Sequence, residues 1–156
     1  MLDIFTVSSF GHRRVDRFRD VELQVKLLVR KLLEEKEYVD FLVGRNGDFD
    51  QIIASAVRRE REYYPGKCSL IWVMPYKMAE YIENMEAYEN YYDEVEICSE
   101  SDGAYPKAAY QLRNRSMVDR SDLIIFNVTH DSGGAYQTMK YAQSIGKQMI
   151  NIAELL

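Results

Sequence analysis

Cysteine and histidine are scarce in this sequence of 156 residues, which has two of each. Cys68 and Cys98 stand alone, without the Cys-x-x-Cys or Cys/His spacing that is typical of zinc sites. A domain of this length buries roughly 70% of the surface that its unfolded chain exposes, so it needs no disulfide or structural metal. We therefore predict two reduced thiols, no metal site and no cofactor.

Long apolar runs and an excess of basic residues are also missing. No segment approaches the roughly 20 apolar residues that cross a bilayer, and no secretory signal pattern follows Met1. We therefore expect a cytoplasmic protein with no membrane partner. The net charge of −5 argues against general nucleic-acid binding, because that mode depends on a basic surface. We expect no nucleic-acid partner, although a local basic pocket remains an open alternative.

Strand-like and helix-like segments alternate along the whole chain. The predicted strands are Leu2–Ser8, Tyr38–Val43, Ser69–Met74, Glu94–Cys98, Leu123–Val128 and Gln148–Ile152. The predicted helices cover about 15–36, 49–63, 77–91, 106–120 and 133–146. Right-handed crossovers then give a parallel sheet. The sequence predicts one α/β domain over residues 1–156, a Rossmann-like three-layer α/β/α fold with a mainly parallel sheet of about six strands.

Three glycine-containing loops follow predicted strands, at the edge where parallel sheets bind ligands. Glycine lets a backbone approach a phosphate closely, while hydroxyl, amide and cationic side chains donate to its oxygens. The candidate ligand residues in these loops are Ser8, Gly11, His12, Arg13, Gly44, Asn46, Gly47, Ser132, Gly133 and Gly134. A glycine after a strand is often only a tight turn. Three such loops on one edge nevertheless favour a site.

The fourth predicted helix carries the cluster Arg113-Asn114-Arg115-Ser116-Met117. Arg113 and Asn114 complete the set of candidate ligand residues, because Arg113 binds a phosphate if its face of the helix looks over the sheet edge. If that face looks to solvent, the arginines are ordinary surface charges. Spacing alone leaves the two alternatives open.

The glycine loops, the Arg-Asn-Arg-Ser-Met segment and Ser-Gly-Gly-Ala-Tyr-Gln-Thr after the fifth strand together resemble the SLOG superfamily. That group includes Lonely Guy phosphoribohydrolases, molybdenum-cofactor carriers and DNA processing protein A, and the likeness is to small stand-alone bacterial or phage members. The resemblance implies a phosphate-binding turn at Gly133 and Gly134, with Arg113 and Asn114 matching a basic pair that Met117 closes. Lys140 stands where the Lonely Guy pattern has a glutamate. Phosphoribohydrolase activity is therefore not expected to carry over.

Three functions remain as hypotheses. The first is a sensor or carrier of a nucleotide-type small molecule, acting as a homo-oligomer. The second is a nucleotide N-glycoside hydrolase or transferase, with Asp48, Asp50 and Asp131 as candidate catalytic carboxylates. The third is DNA binding through the arginines of 58–61 and 113–120, which the net charge disfavours.

Overall fold

Six strands form the centre of the protein, whose computed structural model describes residues 1–156. The strands are β1 (Ile4–Gly11), β2 (Tyr38–Val43), β3 (Cys68–Met74), β4 (Glu94–Ile97), β5 (Leu123–Asn127) and β6 (Met149–Asn151). They lie in the order β4-β3-β2-β1-β5-β6, and every pair is parallel. The predicted Rossmann-like fold is confirmed. The strand order reverses between β1 and β5, the position where such sheets open a crevice.

Six helices connect the strands. They are α1 (Phe18–Glu35), α2 (Asp48–Glu60), α3 (Ala79–Glu83), α4 (Met85–Tyr91), α5 (Pro106–Asp119) and α6 (Gly134–Ser144). Short 3-10 turns follow α2 at Arg61–Tyr63 and β6 at Ile152–Leu155. No helix combines the length and the apolar character that a membrane crossing requires.

Each face of the sheet buries its own hydrophobic cluster. The larger cluster has 24 buried residues, including Trp72 and Phe49, and lies on the side of α1, α2, α3 and α4. The smaller one has 12, including Phe126 and Met117, and lies under α5 and α6. Burial of apolar surface on both faces fixes the helices against the sheet. Their N-termini therefore meet the carboxyl ends of the strands at one edge.

Most element boundaries shift by one to three residues from the predicted ones, and two of the differences change the local structure. β1 extends to Gly11 instead of ending at Ser8, because residues 7–11 pair with residues 123–127 of β5. The predicted third helix is broken at Asn84, whose backbone leaves the helical region (φ −137°, ψ 37°). The first change moves residues of the predicted binding loop into a strand.

Candidate functional site

A cleft of about 690 Å³ opens at the carboxyl ends of β1, β2 and β5. Its walls come from the loops that follow these strands, from α5 and from the start of α6. The volume lies within the range of roughly 300–1,000 Å³ that is typical of small-ligand sites. The sheet topology thus brings the three glycine loops together as the sequence predicts.

Nine of the twelve predicted ligand residues line this cleft: Gly11, His12, Arg13, Gly44, Asn46, Arg113, Asn114, Gly133 and Gly134. The other three do not. Ser8 is fully buried and bonds to the carbonyl of Met117 and to the Ser121 hydroxyl. Gly47 packs on the backbone of Arg13, and Ser132 is exposed, with its hydroxyl beside His130 Nδ1.

Arg113 lies at the floor of the cleft and is only 2% exposed. Its Nη1 donates to the Val73 carbonyl at 3.2 Å, and its Nε and Nη2 donate to Asn114 Oδ1 at 3.1 and 2.8 Å. None of the five ion pairs in the structure includes it. Burial lowers the pKa of this guanidinium, an effect that nearby Asp50 opposes. A buried cation without an ion pair is costly and favours an anionic ligand.

Asn114 links Arg113 to the beginning of α6. Its Nδ2 donates to Thr138 Oγ1 at 3.1 Å, and the Thr138 hydroxyl donates to the Gly134 carbonyl at 2.8 Å. Gly133 has a φ of 90°, and an added Cβ at Gly133 or Gly134 would meet no atom within 4 Å. The first N–H groups of α6 therefore adjoin open space in the cleft, where the helix dipole favours negative charge.

Of the three candidate carboxylates, only Asp50 lines the cleft. Its Oδ2 accepts the Asn46 N–H at 2.8 Å, and burial raises the pKa of its carboxyl against the opposing influence of Asn46 and Arg113. Asp48 instead accepts the Val15 N–H at 3.1 Å and ties α2 to the loop after β1. Asp131 is exposed in the loop after β5. Catalysis by any of the three stays an untested prediction.

Two histidines join the loops after β1 and β5. The rings of His12 and His130 stack with centroids 3.6 Å apart and planes 9° apart. His12 Nε2 accepts the Thr129 N–H at 3.1 Å, so its proton is on Nδ1. Burial, and then the neighbouring His130, lower the pKa of His12. The lowered pKa favours neutral His12, whose stacked ring connects the loops after β1 and β5 at the cleft.

Ser9 and Arg14 lie within a predicted binding loop without being named as ligand residues, and sequence reasoning missed Tyr110; all three line the cleft. Ser9 is 2% exposed, and its hydroxyl has no hydrogen-bond partner. The Tyr110 ring lies 5.2 Å from the guanidinium carbon of Arg113. Tyr110 lies three residues before Arg113, a helical spacing that could have indicated it.

A second groove of about 590 Å³ lies between β4 and α5. Its charged groups already have partners in the protein: Arg120 donates to both carboxylate oxygens of Glu96 at 2.7 and 3.2 Å, and the Ser116 hydroxyl donates to Glu100. The guanidinium carbon of Arg115, which is in no ion pair, lies 4.9 Å from the centroid of the Tyr141 ring. In the first cleft, Arg13, Arg14 and Arg113 form no ion pair. The buried guanidinium of Arg113, which has no ion pair, makes the first cleft the better anion site.

Solved structures similar to this one are chains of DNA processing protein A. The match to the Helicobacter pylori protein covers 93% of this chain and 63% of that protein, with a TM-score of 0.63 and 19% identity. The match to the Streptococcus pneumoniae protein covers 94% of this chain and 49% of that protein, with a TM-score of 0.66 and 15% identity. The fold is shared with DNA processing protein A. The chain thus spans about half to two thirds of the length of these neighbours. No protein-family model and no curated protein matches the sequence.

These neighbours correct two expectations from the sequence. The Helicobacter pylori structure is described as showing a unique single-stranded DNA binding mode of that protein. The expected sensor or carrier of a small nucleotide, and the expected absence of a nucleic-acid partner, are therefore wrong. The hydrolase or transferase alternative stays an untested prediction. The net charge misled because it averages over the whole chain.

Proposed function

We propose that this protein binds single-stranded DNA through phosphates that enter the cleft between β1, β2 and β5. The observation that carries the proposal is the buried guanidinium of Arg113, which lines the cleft without an ion pair. The shared fold with a protein described as binding single-stranded DNA supports it.

The arrangement offers donors at two depths. Arg13 and Arg14 are exposed at the rim, where they can bind successive phosphates of a strand. Arg113 and the N-terminus of α6 lie deeper, and three of the five guanidinium N–H donors already bond within the protein. Two donors remain for a phosphate. Tyr110 offers an aromatic surface on which a base can stack.

The charge of the chain is distributed unevenly. The net charge of −5 is therefore no argument against DNA binding at the cleft. Residues 78–106 contain nine acidic residues and no lysine or arginine. The rest of the chain has 20 basic and 16 acidic residues, so it is net positive. The acidic segment forms α3, α4 and β4 at one outer edge of the sheet, whereas the cleft lies at its middle. A DNA strand can therefore bind at the cleft, because the acidic edge that would repel it lies elsewhere on the sheet.

The resemblance to the SLOG superfamily and the shared fold suggest how the chain should be classified. We propose that residues 1–156 form one SLOG-like domain. Its assembly as a homo-oligomer and its cytoplasmic location stay predictions.

The test is fluorescence anisotropy with a labelled oligothymidylate, comparing wild type with the double variant Arg13→Ala/Arg14→Ala. The control is Lys31→Ala/Lys67→Ala, which removes the same charge near the C-terminus of α1 and before β3, at the opposite edge. Each lost phosphate contact should lower the slope of log affinity against log salt by about 0.7. We expect the rim variant to lose about 1.4 from this slope and the control almost nothing. Equal losses would refute a site at the cleft.

A further inference from the structure

The depth of Arg113 restricts which part of a DNA strand can reach it. The guanidinium is 2% exposed and lies behind the loops after β1, β2 and β5, with α5 as the fourth wall. A strand that crosses the rim contacts Arg13 and Arg14. Its internal phosphodiesters, however, carry a sugar on both sides, which hinders their approach to a guanidinium that is only 2% exposed. A phosphate that is free on one side can enter end-on.

Ser9 provides a second, independent indication of a ligand at this depth. Its side chain lines the same cleft, is 2% exposed and leaves its hydroxyl unpaired. Buried hydroxyl groups nearly always have a partner, because leaving one unpaired costs free energy. Ser9 and Arg113 together therefore offer buried donors from two elements, β1 and α5. A ligand with several free oxygens would satisfy both.

We propose that the cleft takes the terminal nucleotide of a single strand, with its phosphomonoester at Arg113 and Ser9 and its base against Tyr110. The inference rests on the proposed function, because the rim arginines must hold the phosphodiesters that follow. A phosphomonoester has three free oxygens and a charge of about −1.5 to −2 at neutral pH, against −1 for a phosphodiester. It therefore gains more from an unpaired buried guanidinium and the N-terminus of α6.

Asp50 does not oppose such a ligand as strongly as an ordinary carboxylate would. Burial already raises the pKa of its carboxyl. A dianion nearby would raise this pKa further, because it penalises a second negative charge. The repulsion that remains is the one that Asp50→Asn would remove.

The test is competition against one labelled oligothymidylate by unlabelled strands of equal length that differ only at their ends. The competitors have a 5′-phosphate, a 3′-phosphate or hydroxyls at both ends, and a circular single strand has no end. We expect one phosphorylated end to bind about tenfold tighter or more than the hydroxyl strand, as one added charge-assisted hydrogen bond would give. Phosphatase treatment should abolish the difference. The end whose phosphate increases the affinity, 5′ or 3′, is the end that enters the cleft.

Three variants separate end recognition from strand binding. Arg113→Lys keeps the charge but loses the planar fork, and Ser9→Ala removes the hydroxyl, so both should lose the preference for a phosphorylated end. Arg14→Ala should weaken all strands by the same factor and keep the preference. Equal affinity for all four competitors would overturn end recognition and leave the proposed function standing. Binding of no strand would overturn both. Thymidine monophosphate that competes as well as the phosphorylated strand would support the end site and overturn the strand-binding function.

Discussion

Asp50→Asn should improve both the DNA affinity and the stability of this protein at neutral pH. The carboxylate lines the cleft in which we place a phosphate, so its removal removes a repulsion. Two unit charges about 4 Å apart repel by about 4 kcal/mol at an effective dielectric constant of about 20, and the repulsion falls in inverse proportion to distance. Salt screens part of this repulsion. We expect a gain of about 1–2 kcal/mol, or about 5- to 30-fold in affinity.

The stability gain follows from the direction of the Asp50 pKa shift. Burial raises the folded-state pKa above the ordinary value of 3.8, so the folded protein favours the protonated form. The wild type therefore loses stability as pH rises through the folded-state pKa. Asparagine keeps an oxygen to accept the Asn46 N–H and carries no charge. The melting temperature of the variant should exceed that of wild type at pH 7, and the difference should shrink as pH falls towards 3.8.

Asp48→Asn is the matched control, because Asp48 lies two residues away at the start of α2 but bonds to Val15 and does not line the cleft. It should leave DNA affinity nearly unchanged and lower stability slightly, since it weakens a charge-assisted hydrogen bond. Anisotropy titration and thermal melts measure both effects. Weaker DNA binding by Asp50→Asn would refute the reasoning and make the Asp50 carboxylate a positive contributor to the site.

Three further predictions concern glycines and a histidine. Gly134→Asp should reduce DNA binding by at least tenfold while the melting temperature stays close to that of wild type, because its side chain meets no atom within 4 Å and places a negative charge in the cleft. Gly11→Ala should instead lower the melting temperature, since its Cβ would lie 2.5 Å from Phe49 Cβ; an unchanged melt would contradict this packing. His12 has a lowered pKa, so stability should be level above its ordinary value of 6.5 and fall as pH drops below it. Urea titrations should show a smaller fall in His12→Gln, and an equal fall would assign the effect to other groups.

The fold was predictable because its signals are local. Tyr38–Val43 is bounded in the structure as the sequence predicts, and Gly146, with a φ of 72°, follows α6 as a glycine cap should. The end of β1 was not predictable in this way, because residues 9–11 are strand only through their pairing with β5. Side chains alternate along a strand. Ser8 therefore bonds beneath α5 while Ser9 lines the cleft, one residue away from the predicted ligand.

The sequence did not determine whether Arg113 faces the sheet edge or the solvent, for a different reason. Helical spacing shows which residues share a face, but it does not show which face meets the sheet. The structure turns Arg113 inward to the Val73 carbonyl and leaves Arg115 exposed. The expected absence of a nucleic-acid partner was wrong because the net charge of −5 averages an acidic edge with a positive remainder. Composition can exclude a uniformly basic surface, but it does not report where charges lie.

The glycines show how the site is built, and their roles differ from the one that the sequence suggested. Of the five glycines predicted as ligand residues, only Gly133 and Gly134 leave open space for a ligand. A side chain at Gly44 would come within 3.1 Å of Arg113 Nη1, so this glycine lets the β2 loop close over the guanidinium.

Gly11 and Gly47 serve the same closure by packing on Phe49 and on the backbone of Arg13. Close packing of loops around Arg113 keeps water away and strengthens any electrostatic interaction that it makes. These glycines therefore contribute to anion binding without contacting the anion. Gly44→Ala should accordingly weaken DNA binding by displacing Arg113, and Arg113→Ala should add little further loss in the double variant. Additive losses in that double-mutant cycle would show that Gly44 acts independently of Arg113.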